Sequence, residues 1–261
     1  MIFDIINSDP GFISGSNLDE LSGAGIYHFA SCDKRSDFLE SLQVKPKDWY
    51  YRHNPVNYTL NSHKFRTKEF KDIDWKNSIV LLGCSYTFGV GVTDDDTISA
   101  QLEKITGKPV VNLGQPGVSN AVIAYNSYYL KENYPKPLAV VNLWTGMFRW
   151  FQMTHGGKKM MNYVNFKPSD SVDNINTEII NNIMYMKMSN ALWKDHPNHI
   201  QTCIEDGDKD GKPISITQKV FPEAIMHKRS WTYDTSARDN VHPGREVYGK
   251  IAKMIASNLK L

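Results

Sequence analysis

The stretch Ser78-Ile79-Val80-Leu81-Leu82-Gly83-Cys84-Ser85-Tyr86-Thr87-Phe88-Gly89 decides the fold class of this 261-residue chain. Its first half is a continuous apolar run ending in glycine, which is the pattern of a strand buried on both faces of a parallel sheet. Its second half places Ser85 directly after that strand, between two glycines. Open α/β sheets bind ligands at the carboxyl ends of their strands, so we expect Ser85 at the rim of a site. A plain turn serine or a helix-capping serine has the same local pattern.

Strand and helix patterns alternate after this stretch. A helix is predicted from Ile98, with N-cap groups at 93–97 and Gly107 as its C-cap, and another begins after Ser119. Further apolar runs predict strands at 109–112, 138–144 and 199–204. Strands that alternate with helices of about 10–15 residues indicate βαβ units and right-handed crossovers. We therefore predict an α/β fold with a parallel sheet.

The remaining segments are less regular. Residues 148–166 are expected to form an aromatic-rich hairpin around Gly156-Gly157. Residues 177–192 are expected to form a helix whose methionines fill the core, and Pro243 precedes a final amphipathic helix. Ser36 is a candidate N-cap for a short helix nearer the start of the chain.

These patterns divide the chain into two parts. Residues 1–74 are expected to form an N-terminal extension that packs on the core, with a loosely ordered arm as the alternative. Residues 75–261 are expected to form the main domain. Residues 146–218 within it are longer than one βα unit needs, so part of them is expected to form an inserted cap beside the site.

Composition excludes several functions. The chain has 30 basic and 28 acidic residues, a net charge of +2 that is too balanced to indicate nucleic-acid binding. No apolar run approaches the roughly 18 residues that span a bilayer, and the start has no basic segment typical of a signal peptide. Three scattered cysteines, Cys32, Cys84 and Cys203, indicate a reducing compartment. We expect no membrane partner and a cytoplasmic or virion-associated protein.

A matching base for Ser85 lies near the other end of the chain. Asp239-Asn-Val-His242 places a carboxylate and an imidazole three residues apart, just before the last helix. A serine hydroxyl is a poor nucleophile until a base removes its proton, and a carboxylate holds that base in one tautomer. A lone surface or capping histidine is the alternative for His242, but the nearby Asp239 and the upstream serine favour a catalytic set.

These motifs resemble the blocks of the SGNH hydrolases, also called the GDSL lipase/esterase family. Gly83-Cys84-Ser85 with Gly89 is similar to the first block, with Cys84 where Asp is usual. The segment 112–117, which begins with Asn and ends with Gly117, matches the second, and 239–242 matches the fifth. The resemblance covers roughly 75–146 and 220–261.

The resemblance implies a fold and a set of roles. The fold would be a three-layer α/β/α sandwich with a flavodoxin-like strand order 2-1-3-4-5. Ser85 would be the nucleophile, His242 the general base and then acid, and Asp239 its orienting partner. The backbone N–H groups of Ser85 and Gly117 would stabilise the oxyanion.

One block departs from the family. The family has an Asn donor after the third strand, and here an alignment on Gly146 puts Phe148 in that place. Thr145 or Asn120 would be the substitute donor, with Arg149 and Asn142 as further candidates; Asn142 is better explained as a structural amide. Without a substitute, the chain would be weakly active or a non-catalytic binding or structural protein on the same scaffold.

The implied activity is hydrolysis of an ester through an acyl-enzyme, with acyl transfer as a variant. The family favours a small acyl group, particularly acetyl on a carbohydrate, so the expected partner is a small-molecule or glycan ester. The pattern also looks like SGNH-type proteins encoded by phages. Aromatic and basic residues at and after the end of the third strand are candidates for a substrate wall, with ordinary core packing as the alternative: Trp144, Phe148, Arg149, Trp150, Phe151, Tyr163 and Phe166. The oligomeric state stays open.

No cofactor or metal is expected. Asp206, Asp208 and Asp210 resemble the beginning of a calcium loop, but its twelfth position is Thr217 and not Glu. A polar turn explains the run equally well. His196, His199 and Cys203 have ligand types that suit zinc, but Pro197 and the lack of a fourth ligand disfavour a site.

Overall fold

The computed structural model describes residues 11–15, 18, 20–147, 149–153, 160–163, 172–205, 219–228 and 235–261. The strands are β1 Gly25–Tyr27, β2 Tyr58–Leu60, β3 Ile79–Gly83, β4 Val110–Gly114, β5 Ala139–Trp144, β6 Trp150–Met153, β7 Met160–Tyr163, β8 His199–Glu205 and β9 Ile225–Lys228. The helices are α1 Arg35–Val44, α2 Ser85–Phe88, α3 Ile98–Thr106, α4 Asn120–Asn133, α5 Val172–Leu192 and α6 Arg245–Asn258.

The central sheet has five strands in the order β4-β3-β5-β8-β9, and every neighbouring pair is parallel. Numbered along the chain within this sheet, the order is 2-1-3-4-5, so the flavodoxin-like prediction is confirmed. β3 and β5 lie at its centre and are buried along their whole length. This explains their continuous apolar runs.

Alternate side chains of β3 point into two separate cores, which is the period-2 geometry of a strand. Val80 and Leu82 belong to the core beneath the paired helices α4 and α5. Ile79 and Leu81 belong to the core beneath the paired helices α3 and α6. The three-layer α/β/α sandwich is therefore confirmed.

Helix ends follow the predicted chemistry in part. At α3, Thr97 Oγ1 accepts the N–H of Ala100 at 3.2 Å, and Gly107 ends the helix with φ +65°. The short helix α1 is confirmed, but the prediction of Ser36 as its N-cap is wrong. That helix already begins at Arg35, and the Ser36 hydroxyl donates to Asp37 Oδ1 instead.

The segment between β5 and β8 confirms the hairpin and extends the helix. β6 and β7 pair in antiparallel fashion, while the expected turn at 156–157 lies outside the described residues. α5 begins at Val172, five residues before the prediction. Its methionines fill the core only in part: Met186 is buried, whereas Met184 and Met188 are more than half exposed because they lie on the outward face.

Residues before β3 pack on the rest of the molecule. Phe12 lies among aromatic rings of its own segment and contacts Tyr129 of α4 edge to face at 4.9 Å. The Ile13 N–H donates to Asn126 Oδ1 at 2.8 Å, and the Asn126 amide donates back to the Ile13 carbonyl. Within the described part of the chain, every helix is too short or too polar to cross a membrane.

Candidate active site

Ser85 is the first residue of α2, directly beyond the carboxyl end of β3, and only 4% of it is exposed. Gly83 and Gly114, partners in the β3–β4 register, let α2 pack against the strand ends. A Cβ on Gly83 would collide with Thr87 Oγ1 and one on Gly114 with the backbone of Phe88, so a side chain at either position would displace α2. The two glycines therefore allow the tight connection between β3 and α2 at which Ser85 lies.

Asn112 adds a polar tie at the same edge. Its Nδ2 donates to the Thr87 carbonyl at 2.8 Å, and its Oδ1 accepts the Gly114 N–H at 2.9 Å. This amide therefore fixes α2 relative to the end of β4, which explains the asparagine within the second strand of the sheet.

Asp239 and His242 form a buried pair in the loop before α6. His242 Nδ1 lies 2.5 Å from Asp239 Oδ2, and the other carboxylate oxygen accepts the N–H groups of Val241 and His242 at 3.1 and 3.0 Å. Burial alone would raise the pKa of Asp239, but hydrogen bonds from His242 and the imidazole charge outweigh it and lower that pKa. Asp239 therefore stays ionised and holds Nδ1 protonated, with Nε2 left as the basic nitrogen.

The loop with this pair lies against the segment that follows Ser85. The rings of Tyr86 and His242 meet edge to face at 5.4 Å, and the Arg238 N–H donates to the Gly91 carbonyl at 3.0 Å. The Ser85 hydroxyl lies 4.0 Å from Cys84 Sγ. The structure thus brings the two motifs into contact, whereas a Ser85–His242 hydrogen bond stays a prediction.

Three solved structures share part of this arrangement of elements. A carbohydrate esterase aligns at 11% identity and TM-score 0.48, over 72% of this chain and 66% of its own. Est2A, an acetyl xylan esterase from Butyrivibrio proteoclasticus, aligns at 12% and 0.45, over 80% and 66%. A putative lipolytic protein of the G-D-S-L family from Desulfitobacterium hafniense aligns at 13% and 0.43, over 70% and 100%.

No family model and no curated protein matches the sequence. This chain spans 66% of the length of the first of these structures. Identities this low do not assign an activity, so the side chains of this chain must carry the argument.

The candidate substitute donors have structural partners. Asn120 is fully buried; its Oδ1 accepts the Thr145 N–H at 2.9 Å and its Nδ2 donates to the Thr145 carbonyl at 3.2 Å. Both ends of the amide therefore hold the backbone at the end of β5. The Thr145 N–H already donates to Asn120. Of the polar groups of Asn120 and Thr145, the Thr145 hydroxyl is therefore our candidate for contacting a ligand.

Asn142 and Arg149 also have partners. Asn142 Nδ2 donates to Ser189 Oγ at 2.8 Å, as expected for a structural amide. Arg149 is half-buried and donates to the Val118 carbonyl at 3.2 Å, which ties the segment after β5 to the one holding Gly117.

Trp144 does not fit the predicted substrate wall. It is 1% exposed, belongs to the core beneath α4 and α5, and donates its indole N–H to Gln201 Oε1. Its side chain points inward because β5 is buried on both faces. The other aromatic members, Phe148, Trp150, Phe151, Tyr163 and Phe166, have side chains outside the described part.

The histidines considered above as zinc ligands have hydrogen-bond partners within the protein. His196 Nε2 lies 2.9 Å from the Pro137 carbonyl and its Nδ1 accepts the Asn198 N–H at 3.1 Å, so both ring nitrogens are occupied. His199 Nε2 lies 2.9 Å from Gln201 Nε2. Among the described residues, these two histidines and Cys203 do not form a metal-ligand cluster. The run 206–210 lies outside the described residues.

Burial of His199 predicts acid instability. Desolvation, with the nearby His196, lowers the pKa of His199 from 6.5 to about 4. The unfolded chain therefore binds a proton that the folded chain does not, so stability present above pH 6.5 is lost as the pH falls toward 4. The full shift corresponds to about 3 kcal/mol. Urea unfolding across this range measures it.

A His199→Gln variant is expected to flatten that pH dependence, while His53→Gln, at an exposed histidine, should leave it as in the parent chain. Equal slopes for His199→Gln and the parent would show that His199 titrates normally.

Sequence reasoning missed a buried ion pair beside the loop. Arg238 donates to both carboxylate oxygens of Asp33, at 3.0 and 2.6 Å, and both side chains are at most 4% exposed. Tyr58 donates to Asp33 and accepts the Gly91 N–H at 2.8 Å. These contacts connect the N-terminal segment to both sides of the site. No local sequence motif predicts the ion pair between Arg238 and Asp33, because the two residues lie 205 positions apart in the chain.

Arg66 makes a second connection of the same kind. Its guanidinium donates to the carbonyls of Phe88, Gly89 and Val92, at 3.1, 2.7 and 2.8 Å, and pairs with Asp94. The turn that follows α2 is therefore held from the side of the N-terminal segment.

At Gly91 the segment that follows α2 closely approaches the loop that holds Asp239. A Cβ there would lie 2.6 Å from that of Ala237 and 3.1 Å from Asp239 Oδ1, and φ is +78°. Gly91→Ala is therefore expected to displace Asp239, costing about 1–3 kcal/mol of stability from overpacking in addition to the backbone strain.

Gly107→Ala is the matched control, since φ is +65° but no atom lies within 4 Å of the added Cβ. Chemical denaturation of both variants measures the difference. An equal loss of stability in both would mean that the approach of Gly91 to the loop that holds Asp239 is unimportant.

Proposed function

We propose that this chain is a serine esterase in which Ser85, His242 and Asp239 act together. The observation that carries the proposal is the buried His242–Asp239 pair, at 2.5 Å, packed against the segment that follows a rim serine. A buried carboxylate that fixes one imidazole nitrogen leaves the other as a general base.

In the first half of the proposed reaction, Ser85 Oγ attacks the ester carbonyl carbon. Its proton passes to His242 Nε2, and Asp239 stabilises the resulting imidazolium. The tetrahedral intermediate collapses as its bond to the alcohol oxygen breaks. The alcohol takes the proton from Nε2, and the acyl group stays on Ser85.

In the second half, water attacks the acyl-enzyme. Its proton passes to Nε2, and the proton returns to Ser85 Oγ when the acid is released. An alcohol in place of water would give the acyltransferase variant with the same residues.

The oxyanion would be stabilised by backbone donors. Ser85 is the first residue of α2, where N–H groups lack an intrahelical acceptor. Gly117, with φ +76°, lies beyond the end of the neighbouring strand β4. Loss of one such donor costs about 10²–10³ in kcat. The Thr145 hydroxyl is our candidate for the third donor.

For the substrate we propose a small acyl group, such as acetyl, on a carbohydrate alcohol. Gly146, at the same edge of the sheet, is exposed, and a Cβ there would meet no described atom within 4 Å. This opening favours a bulky polar alcohol outside the site, with the acyl group held inside.

We also propose the division of the chain into the extension 1–74 and the hydrolase domain 75–261, with 146–218 partly a cap. The tie between Asn182 and the Met147 and Arg149 carbonyls, at 3.0 and 3.2 Å, supports a cap that follows β5 directly.

A non-catalytic binding role on the same scaffold is the second candidate. One observation favours this binding role: the Thr145 N–H donates its hydrogen bond to Asn120 Oδ1. This leaves the site without the Asn donor of the family's third block.

Pre-steady-state hydrolysis of a chromogenic acetyl ester separates the two candidates. The esterase is expected to release a burst of chromophore stoichiometric with the protein, followed by slower turnover, since an acyl-enzyme accumulates. Release at the rate of buffer alone would overturn the esterase and leave the binding role.

A further inference from the structure

The N-terminal segment brings a thiol to the far side of the proposed catalytic pair. Cys32 Sγ lies 3.4 Å from Asp239 Oδ2 and 3.8 Å from His242 Nδ1. Cys32 as a residue is exposed, so ions can reach this point from solvent, whereas Asp239 and His242 are buried. The three ligand atoms all lie within 4.8 Å of one another.

The three donors are those that zinc and similar thiophilic ions prefer: thiolate, imidazole nitrogen and carboxylate oxygen. In a tetrahedral zinc site, bond lengths of about 2.0–2.3 Å place sulfur about 3.6 Å from the other two ligand atoms. The observed separations of 3.4 and 3.8 Å bracket that value. Only the 2.5 Å separation between Nδ1 and Oδ2 would have to open, to about 3.4 Å.

We propose that Cys32, Asp239 and His242 form an inhibitory site for a thiophilic divalent cation such as Zn²⁺, with water as the fourth ligand. The inhibition rests on the proposed function, whereas the binding does not. The N-terminal segment would thereby supply a switch for the site that it covers.

The inhibition follows from the tautomer of His242. A cation on Nδ1 requires the lone pair there, so the ring proton moves to Nε2. With Nε2 protonated, His242 cannot accept the proton of Ser85. The cation also takes the Asp239 oxygen that orients the ring.

Binding also has a proton balance. Although Cys32 as a residue is exposed, its sulfur is partly buried against the Asp239–His242 pair, and this burial, with the negative charge of Asp239, raises the pKa of the thiol to about 12. The thiol is therefore protonated at neutral pH and releases one proton when the cation binds.

A second thiol, that of Cys84, interacts with Tyr248 of the same surroundings but is only 1% exposed. The charged and titratable groups that face it or interact with its carboxylate are Asp33, Arg238, Tyr51, Tyr86 and Tyr248.

Cadmium titration of the full chain tests the binding without any assay of activity. Cd²⁺ is expected to give a saturable thiolate charge-transfer band at one ion per chain in the parent and in the control Cys203→Ser. The band should vanish in Cys32→Ser. In His242→Ala the affinity should fall by about ten-fold or more, since even loss of an outer-shell partner has that effect.

Absence of a saturable band in the parent would overturn the proposal. So would a band retained in Cys32→Ser, or one whose affinity is untouched in His242→Ala, because the latter indicates a lone thiol.

Zn²⁺ inhibition of ester hydrolysis, measured for each variant against its own metal-free rate, tests the switch. Inhibition is expected in the parent and Cys203→Ser, to be reversed by a chelator and to be at least about ten-fold weaker in Cys32→Ser. Inhibition equal in Cys32→Ser and the parent would overturn the switch. A chain that binds Cd²⁺ as described but hydrolyses no ester would refute the esterase and keep the metal site.

Discussion

Ser85→Ala is expected to lower kcat for an acetyl ester by about 10⁴-fold or more, while leaving the melting temperature unchanged. The methyl group cannot attack a carbonyl, and loss of one triad member removes most of what the triad contributes. The fold should tolerate the change because the hydroxyl contacts only the sulfur of Cys84, at 4.0 Å, among the described contacts of that side chain. Steady-state kinetics with a thermal melt measures both parts.

Ser36→Ala, at an exposed serine of α1, is the control and should keep the full rate. If Ser85→Ala hydrolyses the ester as fast as the parent, the observed hydrolysis does not use this serine and the proposed function is wrong.

Asp33→Ala is expected to lower the free energy of unfolding by about 3–5 kcal/mol. The change leaves Arg238 as a buried cation without its carboxylate and removes the acceptor of the Tyr58 hydroxyl. Since Arg238 precedes Asp239 directly, hydrolysis should fall with stability. Urea unfolding measures the loss.

Asp37→Ala, at an exposed carboxylate of α1, should change stability by less than about 0.5 kcal/mol. Asp33→Leu combined with Arg238→Met should recover part of the loss, because replacing both partners removes the uncompensated charge. Asp33→Ala as stable as Asp37→Ala would mean that the ion pair does not hold the loop.

The sheet could be predicted because each of its central strands has a continuous apolar run within its own few residues. Apolar runs such as 78–83 leave few alternatives to a buried strand, and right-handed crossovers fix how such strands connect. The caps of α3 could also be predicted, because Thr97 and Gly107 each form their capping hydrogen bond within one turn of that helix.

Because β5 is buried on both faces, the sequence did not show which way the side chain of Trp144 points. Along β5 every residue is buried, so the sequence has no alternation to show which side chains point toward a ligand. Trp144 therefore looked like a member of the substrate wall, although its indole lies in the core beneath α4 and α5.

The pairing of Asp239 with His242 was predictable because the two are three residues apart. The support of their loop was not, because Cys32, Asp33 and Tyr58 come from a segment without a persistent pattern. Long-range polar contacts leave no periodicity in the sequence, and only coordinates reveal them.

Covalent labelling by a fluorophosphonate tests most directly whether His242 activates Ser85. We expect the probe to label Ser85 of the parent, located by peptide mass spectrometry, and labelling to be slowed by orders of magnitude in a folded His242→Ala variant. Equal labelling of the parent and His242→Ala, or labelling of the parent at some residue other than Ser85, would contradict it.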